Sequence, residues 1–160
     1  MQTRTATRPS MSSTSREAAG RRFLVLASRV HPEIASSLVR GAQETLRRHG
    51  ARSTAIRVVD VPGAFELPVV AARMAAARSR PDAIIAVGCL IRGQTSQHEV
   101  IAHAVAQGLA HVSVTSGVPV AFGVIVADTV AQARARAGGR MGNRGTEAAL
   151  AALGVLRLWP

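Results

Sequence analysis

The chain has 160 residues, 48% of them hydrophobic, which is enough for one domain with a proper core. Its net charge of +11 is carried by arginine alone, since the sequence contains no lysine, and this excludes a lysine Schiff base or a lysine phosphate clamp. A single cysteine, Cys89, excludes an intrachain disulfide and a cysteine metal cluster.

Residues 1–22 are rich in Ser, Thr and Arg, lack apolar periodicity and have no signal-peptide core; they predict a disordered tail, with 23–160 as a single domain. "FLVLAS" (23–28) is a continuous apolar run of strand length. Residues 33–48 place Ile34, Leu38, Ala42 and Leu46 at helical spacing and stop at His49-Gly50. "TAIRVVDV" (54–61) reads as a second strand, "VPGAFELP" as a turn, and an Ala-rich helix then runs to about Arg78. "DAIIAVG" (82–88) is a third strand, and 97–110 a helix with Val100, Ile101, Ala104, Val105 and Leu109 on one face. "PVAFGVIVA" (119–127) is a fourth strand, and helices at about 129–137 and 144–156 flank the glycines of "AGGRMGN". Strands apolar on both faces, each followed by a helix, predict an α/β fold with a parallel sheet covered on both sides. Ligands of such sheets bind outside the carboxyl ends of the strands. No apolar run is long enough to span a bilayer.

The loop after the third strand is the first candidate site. "GCLIRGQT" has the glycine spacing of a nucleotide-binding P-loop, but Gln94 stands where that loop has lysine. Gln94, Thr95 and Ser96 precede a helix whose free N–H groups and dipole favour an anion. Thr95 or Ser96 is equally an N-cap, with Glu99 completing a capping box from Ser96. A single phosphate on a small molecule suits this loop better than nucleotide hydrolysis. His98, in the first turn of that helix, is placed for acid–base work near neutral pH; the plainer reading is a surface histidine. His103 and His111 lack the spacing of a metal site, so no metal is expected. In "VPGAFELP", Phe65 and Glu66 either contact a polyhydroxyl ligand or only start a helix. The arginines around "AGGRMGN" suit phosphate or a solvated helix face. The scarcity of aromatics points away from nucleic acid, because single-strand sites interleave rings with basic residues.

Taken together, "VPGAFELP", "GCLIRGQTSQHE", "GVPVAFGVIV" and "RAGGRMGNRGTEAA" resemble, in that order, the 6,7-dimethyl-8-ribityllumazine synthases of riboflavin biosynthesis. The resemblance spans nearly all of 23–156 and omits the tail. It implies a three-layer α/β/α, flavodoxin-like sandwich on a four-stranded parallel sheet. It implies a transferase that condenses 5-amino-6-(D-ribitylamino)uracil with 3,4-dihydroxy-2-butanone 4-phosphate through an imine, phosphate elimination and ring closure, with no metal and no cofactor. Pentamers with shared active sites, often gathered into a hollow 60-subunit shell, are implied too, as are association with riboflavin synthase and a cytoplasmic location.

Carried over by position, Ala64, Phe65 and Glu66 hold the ribityl chain and pyrimidine, and Cys89, Leu90 and Ile91 line the pyrimidine site. Gln94, Thr95 and Arg136 hold the phosphate, and Phe122 reaches into a neighbour's site. Two positions depart from the family pattern. Its aromatic at the end of the first strand is replaced by Val30 after Arg29, and its histidine falls at Gln97, with His98 one residue late. A one-residue step turns a helical side chain by about 100°. The resemblance therefore leaves two expectations: an enzyme using His98 and Gln97, or a weakly active paralogue that binds flavin or ribityl-pyrimidine or builds a shell.

Overall fold

The four apolar runs become the four strands of one parallel sheet. In a computed structural model describing residues 16–159, β1 (Phe23–Ser28), β2 (Ile56–Val61), β3 (Ala83–Ile91) and β4 (Val120–Ala127) lie in the order β2-β1-β3-β4, every pair parallel. Helices α1 (Pro32–Arg48) and α5 (Arg144–Leu156) cover one face; α2 (Leu67–Ala75) and α3 (Gln97–Ser116) cover the other. This is the flavodoxin-like three-layer arrangement. Residue alternation along β1 explains it: Phe23, Val25 and Ala27 enter the α1/α5 core, and Leu24 and Leu26 the α2/α3 core.

On the first side, α1 and α5 pack with backbone in contact. A Cβ on Gly145 would collide with the Leu38 carbonyl, so only glycine fits there. Asn143 locks the same junction. Its Oδ1 accepts from the N–H groups of Gly145 (2.8 Å) and Thr146 (3.2 Å), capping α5, and its Nδ2 donates to the Ser37 carbonyl at 3.0 Å.

Several boundaries move. Residues 53–55 form a 3₁₀ turn before β2 rather than its first residues. Helix α2 ends at Ala75, and α3 runs on to Ser116, where Gly117 at φ 71° closes it. The helix expected over 129–137 is α4 (Val130–Ala135); the chain then enters a small antiparallel pair, β5 (Ala137–Gly139) and β6 (Gly142–Asn143), that the sequence did not announce. Strand β3 continues to Ile91, so Cys89, Leu90 and Ile91 are strand rather than the start of the loop.

Residues 16–22, placed in the tail by the sequence, form a turn tied to the body. Ala18 is buried and its N–H donates to the His49 carbonyl at 3.0 Å. Glu17 pairs with Arg157, the Arg21 guanidinium reaches the Leu156 carbonyl at 3.5 Å, and the Arg22 N–H donates to Asp82 at 2.7 Å. The remainder of the expected tail, 1–15, lies outside the described residues. Among the described residues no helix is long and apolar enough to cross a membrane.

Candidate active site

In a parallel sheet all strands end at one edge, and the order β2-β1-β3-β4 makes the chain reverse direction between β1 and β3. Ligands of open α/β sheets bind at that switch point. Ser28, the last residue of β1, and Gly88 of β3 meet there: a Cβ on Gly88 would lie 2.9 Å from the Ser28 Cβ. Ser28 is 1% exposed and its hydroxyl has no partner among the described residues.

Past the switch point, the loop 92–96 leads into α3 and lies open to solvent. The expected capping box does not form. Ser96 is the N-cap but makes no side-chain bond, and the Glu99 carboxylate sits 4.0 Å from His98 Nε2 instead of returning to Ser96. Thr95 Oγ1 accepts from the Gln97 N–H at 3.4 Å. The helix start is thus only loosely capped by its own side chains.

His98 is not a surface residue. It is 8% exposed and begins the buried stripe of α3 that continues through Ala102, Val105, Leu109 and Val112. This corrects the face expected from the sequence, since Val100 is 67% exposed. The inner Nδ1 of His98 is buried without a partner among the described residues, while Nε2 is the nitrogen nearer Glu99. Gln97, turned outward, is exposed. Both line one open cleft of about 240 Å³, with Leu90, Ile91, Gly93, Thr95 and Ile101. Ile101 was legible only as a core position; its place in the cleft follows from the first turn of α3 overhanging the end of β3.

The connection after β2 includes a 3₁₀ turn, Ala64–Glu66, that packs against α3 and β3. Ala64 is buried, while Phe65 stands 62% exposed beside the strand ends. A Cβ on Gly63 would meet Glu66 Oε2 at 2.8 Å and Val30 Cγ2 at 3.9 Å, so Val30, Gly63 and Glu66 form one cluster. Val30 is itself 58% exposed, an apolar surface without a ring.

Of the expected residues, Leu90, Ile91, Thr95, Gln97 and His98 line the cleft, whereas Val30, Ala64, Phe65, Glu66, Gln94, Cys89, Arg136 and Phe122 do not. The Cys89 side chain points into the α1/α5 core, where burial pushes its thiol from an ordinary 9.0 up to about 11. Arg136 closes α4, half-buried, and Phe122 lies exposed on β4, an edge strand. Neither lines the cleft of its own chain. Gln94 is exposed beside Thr95 but outside the lining. This edge is charge-balanced by visible pairs: Arg29–Asp60 (2.7 Å), Arg92–Asp128 (3.6 Å), Arg134–Glu33 (3.3 Å) and Arg144–Glu147 (2.5 Å).

Comparison with known proteins gives this cleft its context. The family described as 6,7-dimethyl-8-ribityllumazine synthase matches residues 20–159. The chain belongs to that family. A relative named 6,7-dimethyl-8-ribityllumazine synthase from Halorhodospira halophila is 45% identical over 137 residues, covering 86% of this chain and 87% of the relative. One of the same name from Stenotrophomonas maltophilia is 48% identical over 137 residues, covering 86% and 88%. The match starts at residue 20, inside the N-terminal turn and ahead of β1.

Proposed function

We propose that this chain condenses 5-amino-6-(D-ribitylamino)uracil with 3,4-dihydroxy-2-butanone 4-phosphate to 6,7-dimethyl-8-ribityllumazine, releasing phosphate and water. The observation that carries this reading is the cleft at the start of α3, where a buried histidine stands beside an open anion-type loop in a chain of this family. The amine attacks the ketone and expels its oxygen as water to give an imine, phosphate leaves by elimination, and the ribitylamino nitrogen closes the ring with loss of a second water.

Each step moves protons, and His98 is the titratable side chain lining the cleft. Its Nε2 relays them between attacking nitrogen and departing oxygens, a role worth about 10²- to 10⁴-fold in rate. Gln97 orients the substrate from the exposed side. Thr95, Gln94 and the N–H groups opening α3 hold the phosphate, favoured by the helix dipole. Phe65 and Val30 give the pyrimidine an apolar bed, and Ala64 and Glu66 meet the ribityl chain. Leu90 and Ile91 form the floor; Cys89 contributes backbone there, since its thiol faces the other core. Holding two substrates together supplies much of the remaining acceleration.

One chain leaves the site short of a phosphate arginine. A neighbouring copy supplies Arg136 and Phe122 across the β4 edge, where Phe122 (43%) and Val126 (44%) are exposed apolar surface. A pentamer, alone or within a shell, follows from this sharing.

Steady-state lumazine formation by the wild type, His98→Ala and Gln97→His tests the reading. Turnover by the wild type no faster than the spontaneous condensation overturns the enzyme. Unchanged turnover in His98→Ala overturns the proton-transfer role alone.

A further inference from the structure

The edge of the sheet opposite the cleft carries the charge of the molecule. The strands start there, and α1, α2, α3 and α5 end there. Arg47, Arg48, Arg52 and Arg57 come from the connection between α1 and β2 and its flanks, and Arg73, Arg78 and Arg80 from that between α2 and β3. The N-terminal turn adds Arg16, Arg21 and Arg22, and the end of α5 adds Arg157. Against these eleven arginines stand three carboxylates, Glu17, Glu44 and Asp82, an excess of eight. The cleft edge has six arginines and six carboxylates, an excess of none. An arginine-biased composition would enrich both edges alike, so the segregation calls for a cause at one of them.

Helix C-termini account for only part of it. Four helix ends contribute about half a negative charge each. Arg80 donates to the Ser116 carbonyl at 3.3 Å and Arg21 to the Leu156 carbonyl, both as caps. Arg47, Arg52, Arg57, Arg73 and Arg78 are exposed and have no carboxylate partner among the described residues. Between the two connections lies a groove of about 200 Å³. Arg22, Arg57, Thr54 and Ser79 provide its polar lining above Phe23 and Met74.

We infer that this edge is a binding face for the phosphate backbone of duplex nucleic acid. Guanidinium groups pair bidentately with phosphate oxygens. A single strand is held largely by bases stacking on rings, and the exposed aromatic on this edge is Trp159 alone. A duplex hides its bases and presents rows of phosphate, which need charge and no rings. The scarcity of aromatics therefore excludes base stacking and leaves backbone binding intact. Recognition is independent of sequence, and the groove seats one phosphate while the flanking arginines meet its neighbours.

The test is fluorescence anisotropy of a labelled mixed-sequence duplex titrated with the full-length protein over a range of salt concentrations. The logarithm of affinity falls linearly with the logarithm of salt, by about 0.9 for each phosphate neutralised. Joint replacement Arg52→Gln, Arg57→Gln, Arg78→Gln lowers that slope by about 2.7, three times the single-contact value, and leaves lumazine formation at the wild-type rate. Arg140→Gln, at the cleft edge, leaves the slope unchanged. If the triple variant misfolds, the three single variants each lower the slope by about 0.9. Absence of salt-dependent duplex binding overturns the proposal, as does an unchanged slope in the variants. Tighter binding of a single strand, polyglutamate or anionic vesicles than of the duplex overturns it too.

Discussion

The two sides of the sheet treat buried polar groups in opposite ways. On the α1/α5 side every atom of the Asn143 amide is engaged, and the Ser37 hydroxyl donates to the Ala137 carbonyl. On the α2/α3 side, Ser28 Oγ and His98 Nδ1 are buried without partners among the described residues. Buried polar atoms in folded proteins are almost always hydrogen-bonded, so exceptions mark places kept for something else. The difference teaches where to look for architecture and where for chemistry: satisfied groups fix the frame, and unsatisfied ones sit at the cleft.

The strongest way to break that contrast is at the frame. Gly145→Val drives a side chain into the Leu38 carbonyl, and its expected cost in urea unfolding is about 3 kcal/mol, the upper end of ordinary overpacking. His98→Leu acts in the other direction. It exchanges a buried orphan for an apolar group, so unfolding stability rises by about 1–3 kcal/mol while lumazine formation collapses; a loss of both would put His98 in the frame instead.

Asn143→Ala removes the cap of α5, with an expected loss of about 1–2 kcal/mol in the same measurement. Its counterpart, Ser28→Ala, removes a hydroxyl without a partner among the described residues, and thermal unfolding should show a change within about 0.5 kcal/mol. A large loss there would reveal a hidden partner for Ser28.

Near neutral pH the smallest effect belongs to Cys89, and its sign is fixed by burial. The thiol is raised from 9.0 to about 11, so folding favours its protonated form. Stability is unaffected below pH 9 and falls as pH rises from there toward 11, because the unfolded thiol ionises first. At pH 8 a thiol-directed alkylating reagent should leave the folded protein unlabelled and react once urea unfolds it.

Much of the fold was legible because four apolar runs lie between helical stretches, and parallel strands buried on both faces leave that pattern. The motifs after the second and third strands located the site edge. What failed had local causes. Polar and apolar residues of α3 are spread around the helix with little segregation, so its sequence barely distinguishes Val100 from Ala102, and a histidine on the buried face contradicts the rule used to find that face. The β5–β6 pair is built largely from glycine and has no alternation to read. The N-terminal turn buries one small residue, Ala18, which carries no periodicity. Charge segregation was invisible in a linear count, because the arginines of one edge come from connections far apart along the chain.

The N-terminal turn and the end of α5 are tied together through Glu17–Arg157 and Arg21–Leu156, on the edge away from the cleft. Both ends of the described chain therefore lie close together, on the edge away from the cleft. A fluorescent protein, an affinity handle or a displayed peptide joined to either end of the described chain would start from the edge away from the cleft. Joining the two ends by a short linker would allow the chain to be reopened elsewhere as a circular permutant.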